Sequence, residues 1–139
     1  MHDNEHRVLV FGVFDLFHPG HEFFLNEAIK RGDELIVVVA RDAAVQLHKG
    51  ITPVHDEQAR LATVLDFPGV SDAVLSDEVE GRYEVLREWR PDTVVFGHDQ
   101  QDLAKDILLK IRNGVIPPVR TQCIEAHEAD RYSSSRYRV

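Results

Sequence analysis

The chain has 139 residues, 43% of them apolar, a net charge of −8 and one cysteine. That length and apolar content fit a single domain over residues 1–139 with a proper core. They exclude an intramolecular disulfide framework and a membrane-spanning run, and they argue against broad binding of a nucleic-acid polymer or an anionic membrane. A reducing cytoplasm is the expected compartment, and a homodimer is the prior for a soluble oligomer.

Residues 1–6 are polar, contain no secretory apolar stretch and are expected to form a flexible tail. Val8–Phe11 reads as a first strand and Pro19–Arg31 as a helix with Phe24, Leu25, Ala28 and Ile29 facing inward. The unbroken run Leu35–Ala40 predicts a strand buried on both faces. Arg41–His55 reads as a polar loop, Asp56–Asp66 as a helix and Val70–Leu75 as a short strand. Tyr83–Trp89 forms the next helix, stopped by Pro91. Thr93–Phe96 is a strand, Asp102–Asn113 a helix ended by Gly114, and Val119–Cys123 a last strand. Residues 131–139 are expected to make a closing C-terminal segment. This alternation predicts an α/β fold whose parallel sheet carries helices on both faces. Ligands of such folds bind beyond the carboxyl ends of the strands, where strand order reverses.

The segment Gly12–His21, G-V-F-D-L-F-H-P-G-H, follows the first strand and leads into a helix. His18 and His21 therefore share one face at the helix start, beside amides that attract phosphate. Their imidazoles can donate to oxygens that gain charge during reaction, and Gly20 leaves room for a phosphate to approach. A lone histidine there would be a polar turn residue; the pair in this setting reads as a phosphate site. The spacing argues against zinc, because helical zinc pairs usually sit four apart and Cys123 is remote.

Three further segments should reach the same crevice. Lys49-Gly50, after strand two, offers a mobile cation for a transferring phosphate, or a solvated lysine. Arg60 is a weaker candidate, or an exposed residue. Gly97-His98-Asp99-Gln100 follows strand four, where Asp99 and Gln100 can read ribose or base. Arg131-Tyr132-Ser133-Ser134-Ser135-Arg136 supplies hydroxyls and amides for phosphate, and a ring that can stack on a base.

The first motif resembles the G-x-F-D-x-x-H-x-G-H signature of cytidylyltransferase-like nucleotidyltransferases. The resemblance implies a Rossmann-like domain with strand order 3-2-1-4-5, and histidines that hold the nucleotide phosphates as pyrophosphate leaves. Val13 stands where that family usually has Thr, so the backbone at Val13, Phe14, Pro19 and Gly20 is left to make the loop contacts. V-V-V-A-R-D, K-G-x-x-P-V-H-D-E-x-x-R-L, R-P-D-T-V-V-F-G-H-D-Q and Y-S-S-S-R are together most similar to archaeal-type FAD synthetases. These transfer AMP from ATP to FMN. The likeness implies His18 and His21 as catalytic residues, and the position of Lys49 after a core strand adds it to them. It also implies a divalent cation, Mg²⁺ by preference, bridging the triphosphate, with Asp15 as its ligand or else bonded within the loop. Two other readings stay open: a CTP-dependent glycerol-3-phosphate cytidylyltransferase, and a nucleotide sensor without transfer. Gln100 replaces the Trp of the CTP enzyme, and Arg131, Arg120 or Arg136 would have to supply its C-terminal arginine.

Overall fold

The computed structural model describes residues 5–124. Strands β1 (Arg7–Gly12), β2 (Glu34–Val39), β3 (Asp72–Leu75), β4 (Thr93–Phe96) and β5 (Arg120–Cys123) form one sheet. Every neighbouring pair is parallel and the order is β3-β2-β1-β4-β5, as expected. Helices α1 (Pro19–Ile29), α2 (Asp42–Lys49), α3 (Glu57–Leu65), α4 (Glu84–Trp89) and α5 (Gln101–Arg112) join them.

The continuous apolar strands make sense because side chains alternate between two cores. Val8 and Val10 of β1, with Leu35, Val37 and Val39 of β2, pack with Leu25 and Ala28 of α1 and Val64 of α3. Leu9, Ile36 and Val38 point the other way, against Val85 and Leu86 of α4 and Ala104 and Ile107 of α5. Helices thus cover both faces. None among the described residues is long and apolar enough to cross a membrane.

Strand order reverses between β1 and β4, and there the pairing is short. Only Val8↔Thr93 and Leu9↔Val94 are in register, so the two carboxyl ends separate beyond them. The Gln100 amide spans the gap: its Nε2 donates to the Phe11 carbonyl (2.8 Å) and its Oε1 accepts from the Gly97 amide (2.9 Å). A crevice at the switch point follows.

Three expectations are corrected. The stretch read as a loop from Arg41 to His55 contains α2, whose Ala44 and Val45 are buried and whose end is capped by Gly50 in the left-handed conformation (φ 70°). His6 is not part of a loose tail. Its ring bonds Thr93 Oγ1 (2.8 Å), its amide donates to Asp33 (2.7 Å) and its carbonyl accepts from the Asp33 amide (2.7 Å). Residues 1–4 lie outside the described part. Arg120 is exposed at the amino end of β5, beside Thr93, and so faces away from the crevice.

Candidate active site

The loop after β1 is tightly wound. Phe14 (φ 56°) and Leu16 (φ 50°) both hold the left-handed conformation, which costs a side-chain-bearing residue roughly 1–2 kcal/mol each. Gly12 permits this turn, since a Cβ there would lie 2.5 Å from the Phe14 ring. Phe14 is only 3% exposed and packs edge-on against His21 (5.4 Å). Phe17 covers another side of the same imidazole (5.3 Å).

His18 caps α1, and the two histidines satisfy the helix start reciprocally. The Gly20 amide donates to His18 Nδ1 (3.0 Å), and the His18 amide donates to His21 Nδ1 (3.3 Å). A ring nitrogen that accepts from an N–H carries no proton, so the remaining proton of each neutral ring sits on Nε2. The rings stack with centroids 3.8 Å apart. Two imidazolium charges at about 4 Å would repel by roughly 4 kcal/mol at an effective dielectric of 20. Burial, then the neighbouring His18, takes His21 down to about 4, and burial also lowers His18. Both rings are neutral Nε2 donors at pH 7.

This modifies the expected anion site. The Gly20 amide is spent on His18 and the His21 amide on the His18 carbonyl (2.9 Å), so the first turn reaches a phosphate through imidazoles and not directly. A chain N–H→Nδ1, Nε2–H→ligand polarises each bond in the same sense.

The other side of the loop is held by two charged side chains. Asp15 accepts from the amides of Val54 (2.8 Å) and His55 (3.0 Å). Burial alone would raise its carboxyl, but these bonds and the nearby His55 and Arg60 hold it below the usual range. Arg60, expected to be weakly placed or exposed, is 1% exposed. Its guanidinium donates to the carbonyls of Val13 (2.9 Å), Ala40 (2.8 Å) and His55 (2.9 Å), and to Asp42 (2.6 Å). Four segments around the crevice are thereby tied to one side chain.

The resulting cleft, about 1170 Å³, brings His18, Gly20, His21, Lys49, Gly97 and Asp99 together from three distant parts of the chain. Lys49, exposed at the end of α2, is close enough for its charge to depress His21. Val13, Phe14, Asp15 and Gln100 also line it, though both ends of the Gln100 amide are engaged by backbone. Pro19 is the exposed first residue of α1 and does not line the cleft. Tyr132, Ser133, Ser134, Ser135, Arg131 and Arg136 lie outside the described residues.

With this geometry the comparisons are specific. The cytidylyltransferase-like family model matches residues 9–139. The chain belongs to that family. Among cytidylyltransferase-like relatives, the FAD synthase of Aciduliprofundum boonei is 45% identical over 101 residues, 73% of this chain and 66% of that protein, just under two thirds of its length. The FAD synthase of Thermoplasma volcanium is 37% identical over 132 residues, 95% of this chain and 91% of that one. A crystal structure described as the lipopolysaccharide core biosynthesis protein from Thermoplasma volcanium GSS1 is similar with a TM-score of 0.79 at 36% identity, covering 88% of this chain and 98% of that chain.

Arg60 and α2 are what sequence reasoning missed around this cytidylyltransferase-like cleft. Ala43-Ala44-Val45 followed by Gly50 was an available helix signal. Arg60 stood in the K-G-x-x-P-V-H-D-E-x-x-R-L segment and as a weaker candidate, but nothing there marked its burial.

Proposed function

We propose that this nucleotidyltransferase moves AMP from ATP to FMN, giving FAD and pyrophosphate. The observation that carries the chemistry is the stacked pair of neutral histidines in the cleft, each with Nδ1 accepting an amide at the α1 start and its proton therefore on Nε2. The relatives named FAD synthase carry the choice of substrates.

A phosphate oxygen of FMN forms the new bond to the α-phosphorus of ATP while the bond from that phosphorus to the bridging oxygen breaks. The electron pair leaves with pyrophosphate. Such transfer needs alignment and charge stabilisation, and no covalent enzyme intermediate. His18 and His21 donate to the phosphate oxygens that gain charge, and Lys49 adds a positive charge at the cleft edge. Neutral donors suit both ends of the step, since neither ring must lose a proton to act.

A divalent cation, Mg²⁺ by preference, would arrive on the triphosphate and supply charge neutralisation there. Asp15 has each oxygen engaged by an amide, and the described residues contain no cluster of three or more His, Cys, Asp or Glu that could form a cage. No step above depends on a metal held by the protein.

The test is pyrophosphate release with Mg²⁺, crossing ATP and CTP against FMN and glycerol 3-phosphate. Turnover with ATP and FMN is expected. Turnover only with CTP and glycerol 3-phosphate, or none with nucleotide still bound, would overturn the reading.

A further inference from the structure

The cleft has two chemically different ends. At one stand the α1 start, His18 and His21, with Lys49 near enough to act on His21 and the Asp15 carboxylate engaged by the amides of Val54 and His55. The other lies among α2, the loop from β3 to α4, and α5. It is lined by Phe11, Val45, Val79, Tyr83 and Leu103, with the carboxylates of Asp77, Glu80 and Asp106 at its margin. Those carboxylates are already engaged. Asp77 accepts from the amides of Glu84 (2.6 Å) and Val85 (3.3 Å), Glu80 meets His48, and Asp106 accepts from the Tyr83 hydroxyl (2.5 Å) and Lys110 (2.9 Å). Such an end repels a phosphate and accepts a neutral, largely apolar group.

We propose that this second end binds the isoalloxazine ring of FMN, with Phe11 and Tyr83 as its aromatic surface and Val79 at its rim. The assignment rests on the FMN adenylyltransferase reading and gives it an orientation. FMN carries its charge on a terminal phosphate and its flat ring at the opposite end, so the field of the cleft can admit it in one direction. The phosphate lies at the histidines and the ring beyond α2. A volume of about 1170 Å³ exceeds the roughly 300–1,000 Å³ that one small ligand occupies, so space remains for a second substrate.

Tyr83 is built as a fixed surface. Its hydroxyl is tied to Asp106, Lys110 sits 5.4 Å over the ring, and Phe11 meets it edge-on at 6.2 Å. It also holds a left-handed backbone (φ 53°) at the start of α4. Burial first, then Asp106, Glu80 and Asp77, push the phenol up, so the ring stays neutral. Val79, by contrast, is 56% exposed and belongs to neither core. It lines the cleft, where a ligand ring can cover it.

Two variants test this: Tyr83→Leu, which removes the ring, and Val79→Glu, which adds charge at an exposed position and leaves the cores intact. Flavin fluorescence titrations with FMN and with phosphate-free riboflavin accompany KM for FMN and for ATP. The proposal expects weakened riboflavin binding and a KM for FMN raised about tenfold, the worth of one stacking contact, with KM for ATP little changed. A rise in KM for ATP instead would place adenine in this end and overturn it. FAD formation with unchanged flavin binding in both variants would overturn the subsite alone. A wild-type protein that makes no FAD and binds no riboflavin would overturn the subsite and the reading beneath it.

Discussion

His18 and His21 stand on one side of the loop after β1 and Arg60 on the other, and both regions bond backbone through side-chain nitrogens. They do opposite things with them. The guanidinium spends its donors on three carbonyls and one carboxylate and is closed to solvent. Each imidazole accepts from an amide at Nδ1, which puts its proton on Nε2, and both rings line the cleft. A buried side chain with all three nitrogens engaged can hold segments in register but cannot respond to a substrate. A ring held at Nδ1 and lining the cleft is positioned by the fold where a substrate can reach it. Chemistry and scaffolding are thus separated by how much hydrogen-bonding capacity the fold consumes.

The comparison breaks most severely at Arg60. Arg60→Ala would remove the hydrogen bonds to three carbonyls and to the partly exposed Asp42 and empty a buried site, which together should cost about 2–5 kcal/mol. Urea denaturation should show that loss, with Arg60→Lys recovering only part of it because one ammonium cannot span four acceptors. A loss under about 1 kcal/mol would mean the network is incidental. Next come the histidines, where the balance reverses. His18→Ala or His21→Ala should lower kcat by roughly 10²–10³-fold, the effect of removing one transition-state donor. Stability should fall by only about 1 kcal/mol, the value of a helix cap. Near-normal turnover in a folded His18→Ala protein would remove the pair from the mechanism.

Acid sharpens the same contrast, because imidazole titrates and guanidinium does not. His21 is lowered from 6.5 to about 4 by its burial and by His18. The unfolded chain therefore takes up a proton at this position before the folded one does. The stability due to the neutral ring is complete above pH 6.5 and is lost as pH falls toward about 4. A shift of that size corresponds to on the order of 3 kcal/mol. Wild type should lose that stability across the window, and His21→Gln should lose much less. Equal slopes would show that His21 is not held neutral by the fold.

How much of this was visible beforehand divides along the same line. The histidines were legible because their spacing, the preceding strand and the Pro-Gly between them are properties of sequence, and so was the sheet, whose strands announce two-sided burial. Arg60 was legible only as a weaker candidate, and its burial was not. Arginine on an amphipathic helix is ordinarily a solvated residue, and its partners here are the carbonyls of Val13, Ala40 and His55. A carbonyl is the same in every residue and leaves no mark in the sequence. α2 was passed over for another reason: D-A-A-V-Q-L-H-K has no side-chain cap and only two buried residues, so its alanines and the Gly50 cap were outweighed by its polar composition. Gln100 was legible as a polar group at a strand end, yet its partners, Phe11 and Gly97, are again backbone.

The smallest expected effect lies at Asp15, which joins the two regions. Its carboxylate fixes the segment at Val54 and His55 to the loop that carries His18. Asp15→Asn keeps the shape but turns one acceptor into a donor facing an amide N–H, so one bond is lost and one N–H is opposed. On a partly exposed group this should cost roughly 1–2 kcal/mol in denaturation. The Mg²⁺ concentration that gives half-maximal turnover then separates a clamp from a ligand. A carboxylate that only positions the loop leaves that midpoint in place while stability falls, because the cation is held by the triphosphate. A midpoint displaced about tenfold or more, with little change in stability, would put Asp15 on the metal and move it from the scaffold to the chemical side of the comparison.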